Sequence, residues 1–134
     1  MPFEEQHKKI LLLDDDVNFL YSVQEILRQN GYQVTIKTQG ADALSFFDKG
    51  SMVDAIIVDY KMPDMDGLKF LSLLKSKGQN IPVILLSAHG DIEIFFRALK
   101  LGAYAVINKP VSIRELTETV RSALVNEMHE ALMG

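Results

Sequence analysis

The chain has 134 residues, 48% of them apolar and 24% charged, which is the size of one domain and the composition of a folding chain, not a disordered one. Its 14 Lys and Arg against 18 Asp and Glu leave a net charge of −4, which argues against direct contact with nucleic acid through a basic face. With no cysteine there is no disulfide framework, thiolate nucleophile or zinc knuckle, and His7, His89 and His129 are too scattered for a local ligand motif.

In chain order, MPFEEQHKK carries no hydrophobic stretch and later apolar runs are only a few residues long, so a cytoplasmic chain that is neither exported nor inserted in a membrane is expected. Residues 1–8 read as an N-terminal tail. Ile10 to Leu13 is a continuous apolar run, the pattern of a strand covered on both faces, and Asp14-Asp15-Asp16 follow it. Helical spacing begins just after Asp16, in Leu20, Val23 and Leu27, so Asp16 reads as an N-cap. Gln33 to Lys37 alternates Val34 and Ile36 with polar neighbours and reads as an edge strand. A helix marked by Ala43, Leu44 and Phe47 comes next, then a strand from Ala55 to Val58 that ends at Asp59. Leu68, Leu71 and Leu74 mark the third helix, and Ile81 to Leu86 a strand that ends at Ser87.

Ile92, Phe95, Phe96 and Leu99 read as the core stripe of a helix starting near Asp91. On the same helix Ile94, Ala98 and Leu101 form a second apolar row, read equally as extra cover or as a partner-binding face. Tyr104 to Ile107 is the last strand, followed by Asn108-Lys109-Pro110. Ser112 with Glu115 forms a capping box for a final helix carrying Leu116, Val120 and Leu124. That helix runs on through Met128, Ala131 and Leu132, as a linker or a frayed end, so the domain itself is expected over residues 9–126 with an extension over 127–134. Asn30-Gly31, Gly50, Gly78 and Gly102 stand where the first four helices should stop.

Five consecutive strand-helix units with short connections predict an α/β fold, a doubly wound five-stranded parallel sheet with helices on both faces. Five units are too few for a TIM barrel, and no dinucleotide glycine pattern follows the first strand. In such a sheet the ligand crevice lies beyond the carboxyl ends of the strands. Asp14, Asp15, Asp59, Ser87 and Lys109 would therefore share one rim. Each alone reads as an ordinary strand end or helix cap. Together the clustered carboxylates are costly without a cation, and hard oxygen ligands without Cys or His suit Mg²⁺.

LLLDDD, VDYKMPDMDG, LLSA and GAYAVINKP, in this order, resemble the receiver domain of two-component response regulators over Lys9 to about Val125. The resemblance implies a flavodoxin-like sheet of strand order 2-1-3-4-5. It implies that Asp59 accepts a phosphoryl group from a phosphohistidine on a sensor histidine kinase or phosphotransfer protein. Asp15 would ligate Mg²⁺ directly, Asp14 through water or a hydrogen bond, and Asp59 and the Lys61 backbone carbonyl would complete the protein ligands. Lys109 would pair with Asp59 and then with the phosphoryl group, behind a cis Lys109-Pro110 bond. Ser87 would hydrogen-bond a phosphoryl oxygen and draw in the following loop. The chain would be a phosphoacceptor that assists only its own phosphorylation and dephosphorylation, not an enzyme. At the switch position three residues before the lysine, where the family usually carries Tyr or Phe, this sequence has Val106, with Tyr104 two residues earlier on the same strand face. The helix around Ile94 to Leu101 and the strand around Tyr104 to Val106 are expected to form the homodimer or output-domain contact.

A second reading, a phosphatase of the haloacid-dehalogenase type, takes Asp14 as nucleophile and Asp16 as acid. It leaves VDYKMPDMDG unexplained.

Overall fold

A computed structural model describes residues 8–133, and the side chains of residues 8–126. Strands and helices alternate throughout: β1 (Lys9–Leu13), α1 (Val17–Gln29), β2 (Gln33–Lys37), α2 (Gly40–Asp48), β3 (Ala55–Asp59), α3 (Gly67–Ser76), β4 (Val83–Ser87), α4 (Ile92–Lys100), β5 (Ala105–Asn108) and α5 (Ile113–Met133). All paired strands are parallel, in the order β2-β1-β3-β4-β5. The expected class and strand order both hold, with the alternating strand at one edge.

Side chains of a strand alternate between faces, so each strand feeds two cores. Leu11, Leu13, Ile56, Val58, Val83 and Leu85 pack with α2, α3 and α4, whereas Ile10, Leu12, Ile57, Ile84, Leu86 and Ile107 pack with α1 and α5. The unbroken apolar runs of β3 and β4 are buried along their whole length, because helices cover both sides of a doubly wound sheet.

The helix starts are fixed by short polar side chains that satisfy otherwise free backbone N–H groups. Asp16 accepts from Phe19 N at 3.2 Å, Asp66 from Lys69 N at 2.8 Å, Asp91 from Ile94 N at 3.2 Å and Ser112 from Glu115 N at 3.2 Å. At α2 the N-cap residue, Gln39, makes no side-chain cap bond.

Two expectations are corrected. On α4 the core takes Ile94 and Ala98, while Ile92, Phe95, Phe96 and Leu99 are exposed. Both rows are helical in period, and the one with the small Ala98 lets the helix lie close on the sheet, whereas the row of two phenylalanines is too bulky for that seat. Tyr104 does not share a face with Val106. It precedes β5, and its hydroxyl meets Ser122 Oγ at 2.6 Å and accepts from Asn126 Nδ2 at 3.0 Å on α5. Val106 packs instead with the core under α4.

Helix α5 continues without a break to Met133. The side chains of Met128, Ala131 and Leu132 and most of the expected N-terminal tail lie outside the described residues. Among the described residues no helix is long and apolar enough to cross a membrane.

Candidate functional site

Strands β1 and β3 are neighbours in the middle of the sheet. The chain leaves β1 for α1 on one face and leaves β3 for α3 on the other, which opens a crevice at the carboxyl ends of the two strands. Asp14 and Asp15 follow β1, and Asp59 is the last residue of β3. One carboxylate oxygen of each lies within 4.8 Å of the others. Asp15 is exposed, whereas Asp14 and Asp59 keep only 2% and 4% of their surface. Two carboxylates buried this deeply need positive charge nearby.

Part of that charge is Lys109, which follows β5 and holds Asp59 Oδ1 at 2.5 Å from its ammonium. Its backbone N–H donates to the Ser87 carbonyl at 2.8 Å, so strand pairing carries the lysine up to the rim. The Lys109-Pro110 bond is cis. Asp14 is less well served. Its Oδ1 accepts from Asp16 N at 3.0 Å, but among the described residues its Oδ2 has no partner. Burial pushes the Asp14 carboxyl up to about 6, the Asp16 hydrogen bond opposes this, and the Asp59 charge adds to it. Ser87, the last residue of β4, is 1% exposed, and among the described residues its Oγ is the other buried side-chain polar atom without a partner.

Buried polar atoms are rarely left unpaired. An unpaired carboxylate oxygen beside two further carboxylates fits a hard, oxygen-seeking cation such as Mg²⁺. An unpaired hydroxyl at the next strand end fits an acceptor oxygen added to the site. The residues present therefore suit both a divalent ion and a phosphoryl group.

The segment from Tyr60 to Asp66 closes the crevice on the α3 side. Tyr60 N donates to Leu86 O at 2.9 Å, and Gly67 N donates to Tyr60 O at 2.7 Å. Lys61 is exposed in this segment, and Met62 and Met65 are half-buried against the core. A Cβ at Gly67 would lie 2.6 Å from Leu85 Cδ1 and 2.8 Å from the Asp59 carbonyl oxygen. The Asp66-Gly67 pair thus combines a helix cap with a backbone approach that only glycine permits. Gly67→Ala should destabilise the fold by about 1–3 kcal/mol, the usual cost of overpacking, and slow chemistry at Asp59. Urea unfolding and phosphorylation rates measured on the same variant check both effects.

Asp14, Asp15, Asp59, Ser87 and Lys109 all stand at or just past the carboxyl ends of their strands, and Lys61 is exposed in the segment that follows β3. Val106 sits within β5, below the rim, with no hydroxyl to offer, and the Tyr104 hydroxyl is engaged by α5. Asp16 caps α1 through its Oδ1, the role expected of it. Sequence reasoning did not single out Asp64, whose two oxygens accept from Gly40 N at 3.0 Å and Ala41 N at 2.9 Å. Nothing in the local sequence marks this bond, which spans 24 positions.

Fold and site together define a flavodoxin-like domain with an acidic crevice at the point where its helices change faces. Residues 10–121 match the family described as the response regulator receiver domain. The chain is 31% identical over 118 residues to sporulation initiation phosphotransferase F of Bacillus subtilis, covering 88% of this chain and 94% of that protein. It is 39% identical over 116 residues to the uncharacterized transcriptional regulatory protein YbdJ of Bacillus subtilis, of which it spans only 50% of the length, with 87% of this chain covered. The solved receiver domain of Francisella response regulator 1452 superposes with a TM-score of 0.84 at 32% identity, covering 90% of this chain and 98% of that one. The chain belongs to the response regulator receiver domain family, the receiving half of two-component signalling.

Proposed function

We propose that Asp59 is the phosphoacceptor. A carboxylate oxygen of Asp59 attacks phosphorus on the phosphohistidine of a sensor kinase or phosphotransfer protein, the new O–P bond forms as the P–N bond breaks, and the imidazole leaves with the bonding pair. Lys109 holds the attacking carboxylate and then faces the transferred group, and Ser87 donates to one of its oxygens. Mg²⁺ held by Asp14, Asp15, Asp59 and the Lys61 carbonyl would supply the remaining positive charge on the phosphoryl oxygens. The observation that carries this reading is the pair of unpartnered buried oxygens, Asp14 Oδ2 and Ser87 Oγ, at strand ends on either side of Asp59. Treatment with acetyl phosphate and Mg²⁺ followed by mapping of the base-labile phosphoryl group tests it. Label on Asp59 supports the reading, and label on Asp14 overturns it.

The chain assists only its own phosphorylation and dephosphorylation, and a cytoplasmic setting suits a kinase donor. The working unit spans residues 9–126, with the rest of α5 as an extension. Its output surface is the exposed α4 row, where Phe96 is 63% and Ile92 66% exposed and the Phe95 and Phe96 rings meet edge to face at 5.3 Å. Apolar side chains gathered in this way on a helix face suit a protein contact, either with a second copy or with an output domain. Sedimentation of the phosphorylated chain separates the two. A dimer abolished by Phe96→Asp, with phosphorylation unchanged, identifies the second copy. A monomer under all conditions assigns the face to an output domain.

A further inference from the structure

Helix α2 begins without a cap of its own. Gln39 is extended, at φ −135° and ψ 144°, and its side chain makes no cap bond. The first two N–H groups of the helix are instead taken by one carboxylate from far along the chain, Asp64, through one oxygen each. Burial by itself would raise the Asp64 carboxyl, but the backbone N–H groups of Ala41 and Gly40, together with those of Asp64 and Met65, hold it below its ordinary value. Beside them, Gly40 leaves room for Met65, whose Sδ and Cγ lie 2.6 and 2.7 Å from where a Cβ would stand.

Asp64 and Met65 belong to the segment that runs directly from Asp59 to Gly67. On the α3 side that segment is closed by the Gly67 N to Tyr60 O bond and by the Asp66 cap. On the α2 side its polar ties are the two bonds of Asp64. The segment is therefore strapped between two helices, with Lys61, Met62 and Pro63 in the span between the tied residues Tyr60 and Asp64. Any backbone carbonyl offered to a cation from this span depends on both attachments for its position.

We infer that Asp64 is a positioning residue, which ties the segment after Asp59 to the start of α2 and thereby sets the affinity of the acidic crevice for Mg²⁺ and the rate of phosphorylation. The inference rests on the reading of Asp59 as phosphoacceptor and adds a residue to it. Groups that orient metal ligands from outside the coordination shell commonly change affinity tenfold or more when removed.

Asp64→Ala removes the strap and the cap together, and a second substitution separates them. Gln39 already has the extended backbone of an N-cap, so Gln39→Ser restores a cap to α2 from within and leaves the segment untied. Mg²⁺ affinity is measured by calorimetry on the folded full chain, the phosphorylation rate with acetyl phosphate at saturating Mg²⁺, and stability by urea unfolding. Asp64→Ala is expected to weaken Mg²⁺ binding by about tenfold and to slow phosphorylation. Asp64→Asn, which keeps one acceptor oxygen, should fall between it and the wild type. The double variant Gln39→Ser with Asp64→Ala should recover stability without recovering Mg²⁺ affinity. If the double variant recovers both, or if Asp64→Ala binds Mg²⁺ as the wild type does, Asp64 is only a helix cap and the inference fails while Asp59 keeps its role. A wild type that neither binds Mg²⁺ nor labels on Asp59 overturns both.

Discussion

Asp59→Asn is expected to lose nearly all phosphoryl transfer from acetyl phosphate while keeping the fold. The substitution preserves the shape of a side chain that is 4% exposed, but an amide oxygen is a poor nucleophile and gives up the charge that Lys109 holds at 2.5 Å. Two neighbours should fail differently. Lys109→Ala removes a cation from the group being transferred, a loss of about a hundredfold in rate by analogy with single donors to developing anions. Ser87→Ala removes a hydroxyl that has no partner before transfer, so its effect should fall less on uptake than on the response. The loop from Ala88 to Gly90 and the Asp91 cap of α4 follow Ser87 directly. Hydrogen exchange across this loop and α4, compared before and after phosphorylation, reads that response. A Ser87→Ala protein that takes up phosphate slowly but changes exchange normally for each phosphate bound would reverse the division of labour between the two residues.

Asp14→Asn should stabilise the metal-free protein at neutral pH while destroying its response to Mg²⁺. Asp14 carries a carboxyl pushed up to about 6 from 3.8, chiefly by burial. Because its folded-state value lies above the unfolded one, the native state binds more protons than the unfolded chain between these pH values. Wild-type stability therefore falls as pH rises through this window, and the full penalty stands above pH 6. At 1.36 kcal/mol per unit, the penalty is on the order of 3 kcal/mol. Asparagine cannot ionise and keeps an oxygen for the Asp16 N–H, so the variant should melt several degrees higher than the wild type at pH 7.5, with the gap closing toward pH 4. Mg²⁺ reverses the order. An ion that binds the native chain alone raises stability with the logarithm of its concentration, and the wild type should gain this increment where Asp14→Asn does not. Thermal melts of both proteins at pH 4.5 and 7.5, with and without Mg²⁺, check all of it. A wild type indifferent to Mg²⁺ alongside a less stable Asn variant would mean that the protein itself satisfies these carboxylates.

The sequence by itself determined the class of fold, the edge position of β2 and the rim of the crevice, because these follow from local signals. Unbroken apolar runs such as Ile10 to Leu13 report burial on both faces. The polar residues directly after them, Asp14, Asp59, Ser87 and Lys109, must gather wherever parallel strands end side by side. The caps at Asp16 and Ser112 were legible for the same reason, since a cap bonds the backbone only three residues ahead. Tertiary structure decided what periodicity leaves degenerate. Helix α4 carries two apolar rows of the same period, and only the space between helix and sheet selects Ile94 and Ala98 for the core, leaving Phe95 and Phe96 outside. Tyr104 escaped the strand alternation because the strand begins one residue after it, which frees its ring to reach α5. The tie from Asp64 to α2 joins backbone groups more than twenty residues away, a contact that exists only after β2 and β3 have both paired with β1 and α2 has packed beside α3, so no local pattern could announce it.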